Sequence, residues 1–274
     1  TNPTTCGGSN GTITLGVLNP NTVYSVSYLR NGSSVGPVNI STNGAGNLII
    51  TGLNQANYSS ITLTLNGCTS SPVLGPIALS DPAIPSAPTG VTANPNPICS
   101  GNTLTLSAAG SNLSWTYPDG PTASGSPVTR NNVTTAMAGV YSVTQTVALC
   151  VSPPATVNVT INQTPSIVSA IGSDPTTCGG SNGSITLSGL VPSSLYQVSY
   201  TRNTVSQGPF AFSTNGSGQL TITGLNAGTY AALTVSINGC TSAPFAGPVI
   251  LSDPSNPSAP TNVTATPNPV CTGG

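Results

Sequence analysis

Charge is what this sequence has least of. Only Arg30, Arg130, Arg202, Asp81, Asp119, Asp174 and Asp253 carry it among 274 residues, where an average domain has about a quarter of its residues charged. Lys, Glu and His are absent altogether. Each absence excludes a class of function. Without a cluster of cations there is nothing to neutralise phosphates, so no nucleic acid partner is expected. Without His, Lys or Glu there is no ordinary general base, the four Asp residues offer no paired carboxylates, and none of the many Ser and Thr hydroxyls has a base beside it. The chain is therefore not expected to be an enzyme. The seven cysteines include no CxxC pair, which with the missing His argues against zinc and leaves no cofactor in view. No apolar run approaches the roughly 18–20 residues that cross a bilayer, and no leader segment is evident. Apolar residues also never hold a 3.6-residue period long enough for a helix.

What is present is a repeat. Thr5-Cys6-Gly7-Gly8-Ser9-Asn10-Gly11 returns as Thr177-Cys178-Gly179-Gly180-Ser181-Asn182-Gly183. The same 172-residue offset relates Cys68 to Cys240 and Cys99 to Cys271. The period divides the chain into residues 1–84, 85–162 and 163–256, with 257–274 opening a fourth module of the second kind; the array is expected to continue beyond the sequence. Proline-rich joints such as Ser80-Asp81-Pro82-Ala83-Ile84-Pro85 separate the modules and would stiffen an elongated rod.

Within each module the pattern is that of short strands. Val23-Tyr24-Ser25-Val26-Ser27-Tyr28 alternates, with Asn31-Gly32 supplying a tight turn after it. Asn47–Thr51 and Ser60–Leu65 follow, rich in β-branched residues. The middle module has Thr103–Ser107, a run around Trp115, then Gly139-Val140-Tyr141-Ser142-Val143-Thr144 and Ala155–Ile161. Strands punctuated every 8–12 residues by Gly, Pro and Asn predict an all-β fold of tandem β-sandwiches. Trp115 on a third strand and the Gly-x-Tyr of Tyr141 resemble the immunoglobulin-like or fibronectin-like sandwich, in which such a Tyr closes a corner through its hydroxyl. Tyr58 and Tyr230, each following Gly-Leu-Asn, look like the same corner, and with Trp115 and Tyr141 they are the predicted core.

The Cys6-Gly-Gly-Ser-Asn-Gly-Thr-Ile-Thr-Leu frame, its central Tyr strand, the Gly-Leu-x-x-x-x-Tyr run and Asn66-Gly67-Cys68-Thr69 resemble the SprB-type repeat. Such repeats belong to very large surface adhesins of gliding Bacteroidetes, exported by type IX secretion. Module 85–162, with Pro97-Ile98-Cys99-Ser100-Gly101, Trp115, Tyr141 and Cys150, resembles the Ig-like modules that accompany them. The resemblance implies a structural protein at the cell surface, either an adhesin stalk or a filament subunit, whose partners are neighbouring modules or identical chains. This sequence carries fewer Asp and Lys than such repeats, which favours self-assembly. An array of carbohydrate-binding modules directed at surface glycans is the alternative, and it requires exposed aromatics.

Regularly spaced cysteines in a Ser/Thr/Asn-rich chain read as disulfides formed outside the cell. Two pairings are open. One closes each module on itself, as Cys6–Cys68, Cys99–Cys150 and Cys178–Cys240. The other follows from sandwich geometry: a strand of about eight residues holds the first corner and last hairpin of one module roughly 25 Å apart, whereas a disulfide tolerates about 7 Å between Cα atoms. That favours Cys6–Cys150 and Cys99–Cys240 between modules, with Cys68, Cys178 and Cys271 reaching outside the sequence. Ser80-Asp81-Pro82, Ser173-Asp174-Pro175 and Ser252-Asp253-Pro254 invite a calcium site, but one carboxylate each falls short of the about 6–8 oxygens calcium wants. An Asx turn before proline accounts for them better. Arg30 and Arg202 are expected in solvent at hairpin ends, and Tyr24, Tyr28, Tyr196 and Tyr200 in the core rather than on a sugar platform.

Overall fold

The computed structural model describes residues 1–264. Cys271 and most of the segment 257–274 lie outside them. Among the described residues every regular element is a β-strand apart from a 3₁₀ turn, Thr135–Met137. The chain forms two compact units. The first comprises Thr1–Ile98 with Asn102–Ile161, and the second Cys99–Gly101 with Asn162 onward.

The first unit holds two separate hydrophobic cores. Around the first lie β1 (Gly11–Leu15), β2 (Val23–Arg30), β3 (Ser33–Ser41), β4 (Leu48–Leu53), β5 (Ala56–Leu65), β6 (Cys68–Thr69) and β7 (Ile77–Leu79). β1 pairs with β4, and a second sheet runs β3-β2-β5 with β6 and β7 both on β5. The alternation read from the sequence decides which face is inside: Tyr24 and Val26 on β2 are buried and Tyr28 is half-buried. They meet Ile13, Leu48, Ile50, Tyr58 and Ile61. Each such side chain removed from water contributes about 1.5–3 kcal/mol.

The second core carries β8 (Thr89–Asn94), β9 (Ile98–Cys99), β10 (Leu104–Ala109), β11 (Ser114–Thr116), β12 (Thr122–Ser124), β13 (Val128–Arg130), β14 (Gly139–Thr144), β15 (Thr146–Val147), β16 (Cys150–Val151), β17 (Ala155–Val159) and β18 (Ile161–Asn162). One sheet has the order β13-β10-β8 and the other β12-β11-β14-β17, all antiparallel. First, second and fifth strands thus face third, fourth, sixth and seventh, an immunoglobulin-like arrangement. Trp115, on the third strand, is fully buried, and its indole N–H donates to the Gly125 carbonyl at 3.1 Å.

The second unit contains β19 (Ser169–Ser173), β20 (Gly183–Ser188), β21 (Leu195–Arg202), β22 (Val205–Ser213), β23 (Leu220–Leu225), β24 (Gly228–Ile237), β25 (Cys240–Thr241) and β26 (Val249–Leu251). Its sheets, β19-β20-β23 and β22-β21-β24-β25 with β26 also on β24, repeat the same order. Ile185, Leu187, Tyr196, Val198, Leu220 and Leu233 are its fully buried centre.

One device recurs in all three cores. The hydroxyls of Tyr58, Tyr141 and Tyr230 donate to the carbonyls of Asn54, Met137 and Asn226, each four residues earlier, at 2.8–2.9 Å. Burying a tyrosine is tolerable when its hydroxyl finds a partner, and here that partner lies in the bend leading into β5, β14 and β24 respectively.

Candidate functional site: the cysteine loops and hairpins

The residues with chemistry of their own are the cysteines, and they sit on two kinds of local structure. Cys6 and Cys178 lie on a tight loop preceding β1 and β20. Gly8 N–H donates to the Thr5 carbonyl at 3.0 Å, as Gly180 N–H does to Thr177 at 2.9 Å. Gly7 and Gly179 turn the chain at φ of 66° and 68°, a region that costs a side chain about 1–2 kcal/mol. Asn10 and Asn182 close the loop from the other side, taking the N–H of Thr4 and Thr176 on Oδ1 and donating from Nδ2 to the same threonine's hydroxyl.

Cys68, Cys150 and Cys240 sit instead at the first position after a two-residue hairpin turn. Asn66-Gly67 and Asn238-Gly239 have positive φ at both residues, the signature of the turn that matches strand twist. Ala148-Leu149 adopts the same left-handed pair, φ 50° and 61°, without a glycine.

The structure bonds Cys6 to Cys150, with Cα atoms 5.0 Å apart, inside the first unit. It bonds Cys99 to Cys240, Cα atoms 5.6 Å apart, inside the second. A backbone hydrogen bond accompanies the first: Cys6 N–H donates to the Ala148 carbonyl at 2.8 Å. Around the second, Asn162 Nδ2 donates to the Asn238 carbonyl at 2.9 Å, and Thr164 bonds Ser100 through both its N–H and its hydroxyl. The hairpin cysteines of the bonded pairs are covered, Cys150 at 2% and Cys240 at 1% exposure. Cys68 and Cys178 are free thiols on the surface. Two disulfides in an immunoglobulin-like β protein fit an extracellular setting.

The aspartates of the Ser-Asp-Pro triplets serve these loops. Asp81 takes the Gly7 N–H at 2.9 Å and Asp253 the Gly179 N–H at 3.1 Å, each across 74 residues. Asp174 takes the Ser252 N–H at 2.9 Å, the role that Asn2 fills for Ser80. In place of the local Asx turn expected for these triplets, all three aspartates make long-range bonds, two of which, from Asp81 and Asp253, clamp the cysteine loops. The other carboxylate oxygen of Asp81 is buried without a partner.

A second polar cluster lies in module 85–162 and had no signal in the sequence. Arg130 forms a two-pronged pair with Asp119, at 2.7 and 2.6 Å, and donates to the Tyr141 hydroxyl at 3.1 Å. Its guanidinium also stands 4.4 Å from the Tyr117 ring centroid. The hydrogen bonds from Arg130 hold the Asp119 carboxyl below the usual carboxylate range, while burial pushes the Tyr117 and Tyr141 phenols up. The arrangement ties the Asp119 turn, β13 and the Tyr141 corner together.

Arg30 is exposed, as expected, but Arg202 is half-buried and donates from Nη2 to the Ala227 carbonyl at 3.0 Å. The cause is one residue. A Cβ at Gly228 would lie 3.2 Å from Arg202 Nε, and the first module has Ala56 at that place in the repeat. Tyr24, Tyr196 and Tyr200 are buried. The hydroxyls of Tyr24 and Tyr196 accept backbone N–H groups of Asn19 and Val191. They present no aromatic platform to solvent.

The chain matches no family model and no curated protein. Among solved structures it is similar to murine CEACAM1b, at 17% identity over 60% of this chain and 98% of that one, with a TM-score of 0.36. It is similar too to a chain in the crystal structure of mouse coronavirus receptor-binding domain complexed with its murine receptor, at 15% identity over 60% and 98%, TM-score 0.35. A third is the human OSCAR ligand-binding domain, at 16% over 62% and 100%, TM-score 0.28. Scores this low carry no structural weight, and the immunoglobulin-like description rests on strand order, Trp115 and the tyrosine corners.

Proposed function

We propose that this chain is a segment of an extracellular structural repeat protein, the stalk of a giant surface adhesin or the subunit of a cell-surface filament, and that it does no catalysis. Its modules form an elongated rod and are stapled in series by disulfides. The observation that carries this reading is the Cys6–Cys150 bond, which spans 144 residues. It fastens the loop that opens module 1–84 to a hairpin of module 85–162, across the proline-rich joint between them. A protein whose task is to hold distance benefits from closing such joints covalently, since each closure removes conformations in which the modules part. The near absence of charge fits a surface that packs against copies of itself, because little like-charge repulsion opposes association.

The carbohydrate-binding alternative draws no support from the aromatic residues. Trp115 has no accessible surface, and the tyrosines of β2 and β21 face inward.

Electron microscopy of the native particle tests the reading. Threads of module width or helically symmetric filaments are expected, and a compact isolated particle would overturn it.

A further inference from the structure

We propose that the Cys178 loop is an open acceptor for a cysteine-bearing hairpin like Thr146–Val151, supplied by another module of the 85–162 type. The inference rests on the reading of the chain as a stapled repeat and adds the identity of the partner. What carries it is a built-in comparison. The Thr5–Gly11 loop and the Thr177–Gly183 loop have the same sequence and the same internal hydrogen bonds. They also share the aspartate clamp at the following glycine. The first loop is occupied. Its cysteine is bonded to Cys150, and its cysteine N–H donates to Ala148 O. The carbonyl of Pro82 lies 3.9 Å from Cys6 Sγ and 3.6 Å from Cys150 Sγ. In the second loop Pro254 O stands 3.5 Å from Cys178 Sγ, in the place Pro82 takes, while the thiol is free and exposed. The acceptor is therefore assembled before its partner arrives, which reduces the ordering cost of docking.

The chemistry of the turn selects the hairpin. The loop offers a backbone N–H, and the Ala148-Leu149 turn presents Ala148 O to it. The other hairpin type, Asn238-Gly239, has its turn carbonyl held by a side-chain amide, that of Asn162. At the Cys178 loop the side-chain amides are otherwise engaged: Asn182 Nδ2 donates to the Thr176 hydroxyl, Asn226 Nδ2 to the Gly180 carbonyl, and Asn256 turns its Oδ1 toward Cys178 Sγ at 3.7 Å. By the same logic Cys68, on an Asn-Gly hairpin, is the counterpart of Cys240 and fits a loop of the Cys99 kind.

Bonding proceeds by exchange. The Cys178 thiolate attacks the hairpin cysteine sulfur of a mixed disulfide, the new S–S bond forms as the old one breaks, and the displaced thiolate leaves with the electron pair and takes up a proton.

The test uses the unmodified chain and two synthetic peptides, residues 145–152 and residues 236–243, each carrying its cysteine as a mixed disulfide with glutathione. Cleavage after arginine and before aspartate, which leaves each cysteine on its own fragment, and mass spectrometry report which thiol has reacted. Cys178 is expected to take the 145–152 peptide about tenfold faster than the 236–243 peptide, a gap of about 1.4 kcal/mol, and Cys68 is expected to show no such preference. As a folded probe, the C6S chain, whose 146–151 hairpin is free, is mixed with ¹⁵N-labelled unmodified chain in a glutathione buffer; mixed-isotope dimers linked Cys178 to Cys150 are expected. Equal uptake of both peptides at Cys178, together with dimers joined indiscriminately through Cys178 and Cys68, would overturn the inference. The same digest shows whether residues 1–30 remain disulfide-linked to residues 131–173, the fragment that carries Cys150 alone. If that Cys6–Cys150 link is present and selectivity is absent, only the acceptor proposal fails; if the link is missing, the stapled reading fails with it.

Discussion

The carboxylate of Asp81 holds the backbone N–H of Gly7 at 2.9 Å, and the residue between Thr5 and that glycine is the disulfide-bonded Cys6. An acid at one end of the module thus sets the geometry of a cysteine at the start of the chain. Replacing Asp81 with Ala is expected to cost about 1–2 kcal/mol, the value of a partly solvated hydrogen bond to a charged group. The readout is the rate at which dithiothreitol opens Cys6–Cys150, expected to rise several-fold, with D81N close to the parent because its amide oxygen still accepts. An unchanged rate in D81A would show that the loop keeps its shape unaided.

Stability should vary little between about pH 5 and 9, because the groups whose pKa is shifted, Asp119 and five tyrosines, titrate outside that window. Below that window Asp119 matters. Its carboxyl is lowered by Arg130, so the unfolded chain binds a proton before the native one does, and stability falls as the pH drops past about 4. Above it, Tyr28, Tyr117, Tyr141, Tyr200 and Tyr230 are all raised by burial. The native state keeps protons that the unfolded state releases, so stability falls as the pH rises past about 10. Urea midpoints measured across pH 3–11 would show both shoulders, and a steep slope near pH 7 would contradict the assignment.

Trp115→Ala should destabilise the molecule by about 3–5 kcal/mol through the cavity it leaves. Being the single tryptophan, it also reports directly: fluorescence of the folded parent should be blue-shifted and insensitive to iodide or added oligosaccharide. Quenching by sugar would revive the carbohydrate-binding alternative.

The turn Ala148-Leu149 is the one two-residue hairpin beside a bonded cysteine that lacks Asn-Gly. Exchanging Leu149 for Gly, which leaves Ala148 in place, should stabilise the chain by about 1 kcal/mol, since the left-handed region penalises a side chain with a Cβ. Leu149 is 69% exposed, so little packing is forfeited. A lower urea midpoint in the exchanged chain would mean that the leucine makes a contact that outweighs the strain.

The all-β architecture was legible in the sequence because a period of two, set against punctuating Gly, Pro and Asn, assigns each side chain a face. Tyr24 and Val26 on β2 illustrate it. The tyrosine hydroxyl contacts repeat at a fixed four-residue spacing and are local in the chain. The roles of the aspartates were not legible, because the partner of Asp81 is 74 residues away and appears only when β7 has paired with β5. The Arg130 pair was hidden because its members belong to different sheets, Arg130 to β13 on β10 and Asp119 to the turn between β11 and β12, and they meet only when the two sheets pack. Arg202 differs from its repeat counterpart Arg30 through Gly228, a cause that needs the register of β21 on β24 to be seen.

The two disulfides overlap along the sequence, since Cys99 precedes Cys150, and this sets the covalent route that tension takes through the molecule. Pulled from its ends, the chain passes force from residue 6 directly to residue 150, back along the backbone to residue 99, and on to residue 240. Residues 7–98 and 151–239 lie off that route and cannot lengthen while the bonds hold. Only 51 residues (150 − 99) of the 234 (240 − 6) between the outer cysteines bear tension. About 600 Å of contour is therefore withheld, at 3.3–3.6 Å per residue, and a reductant would release it.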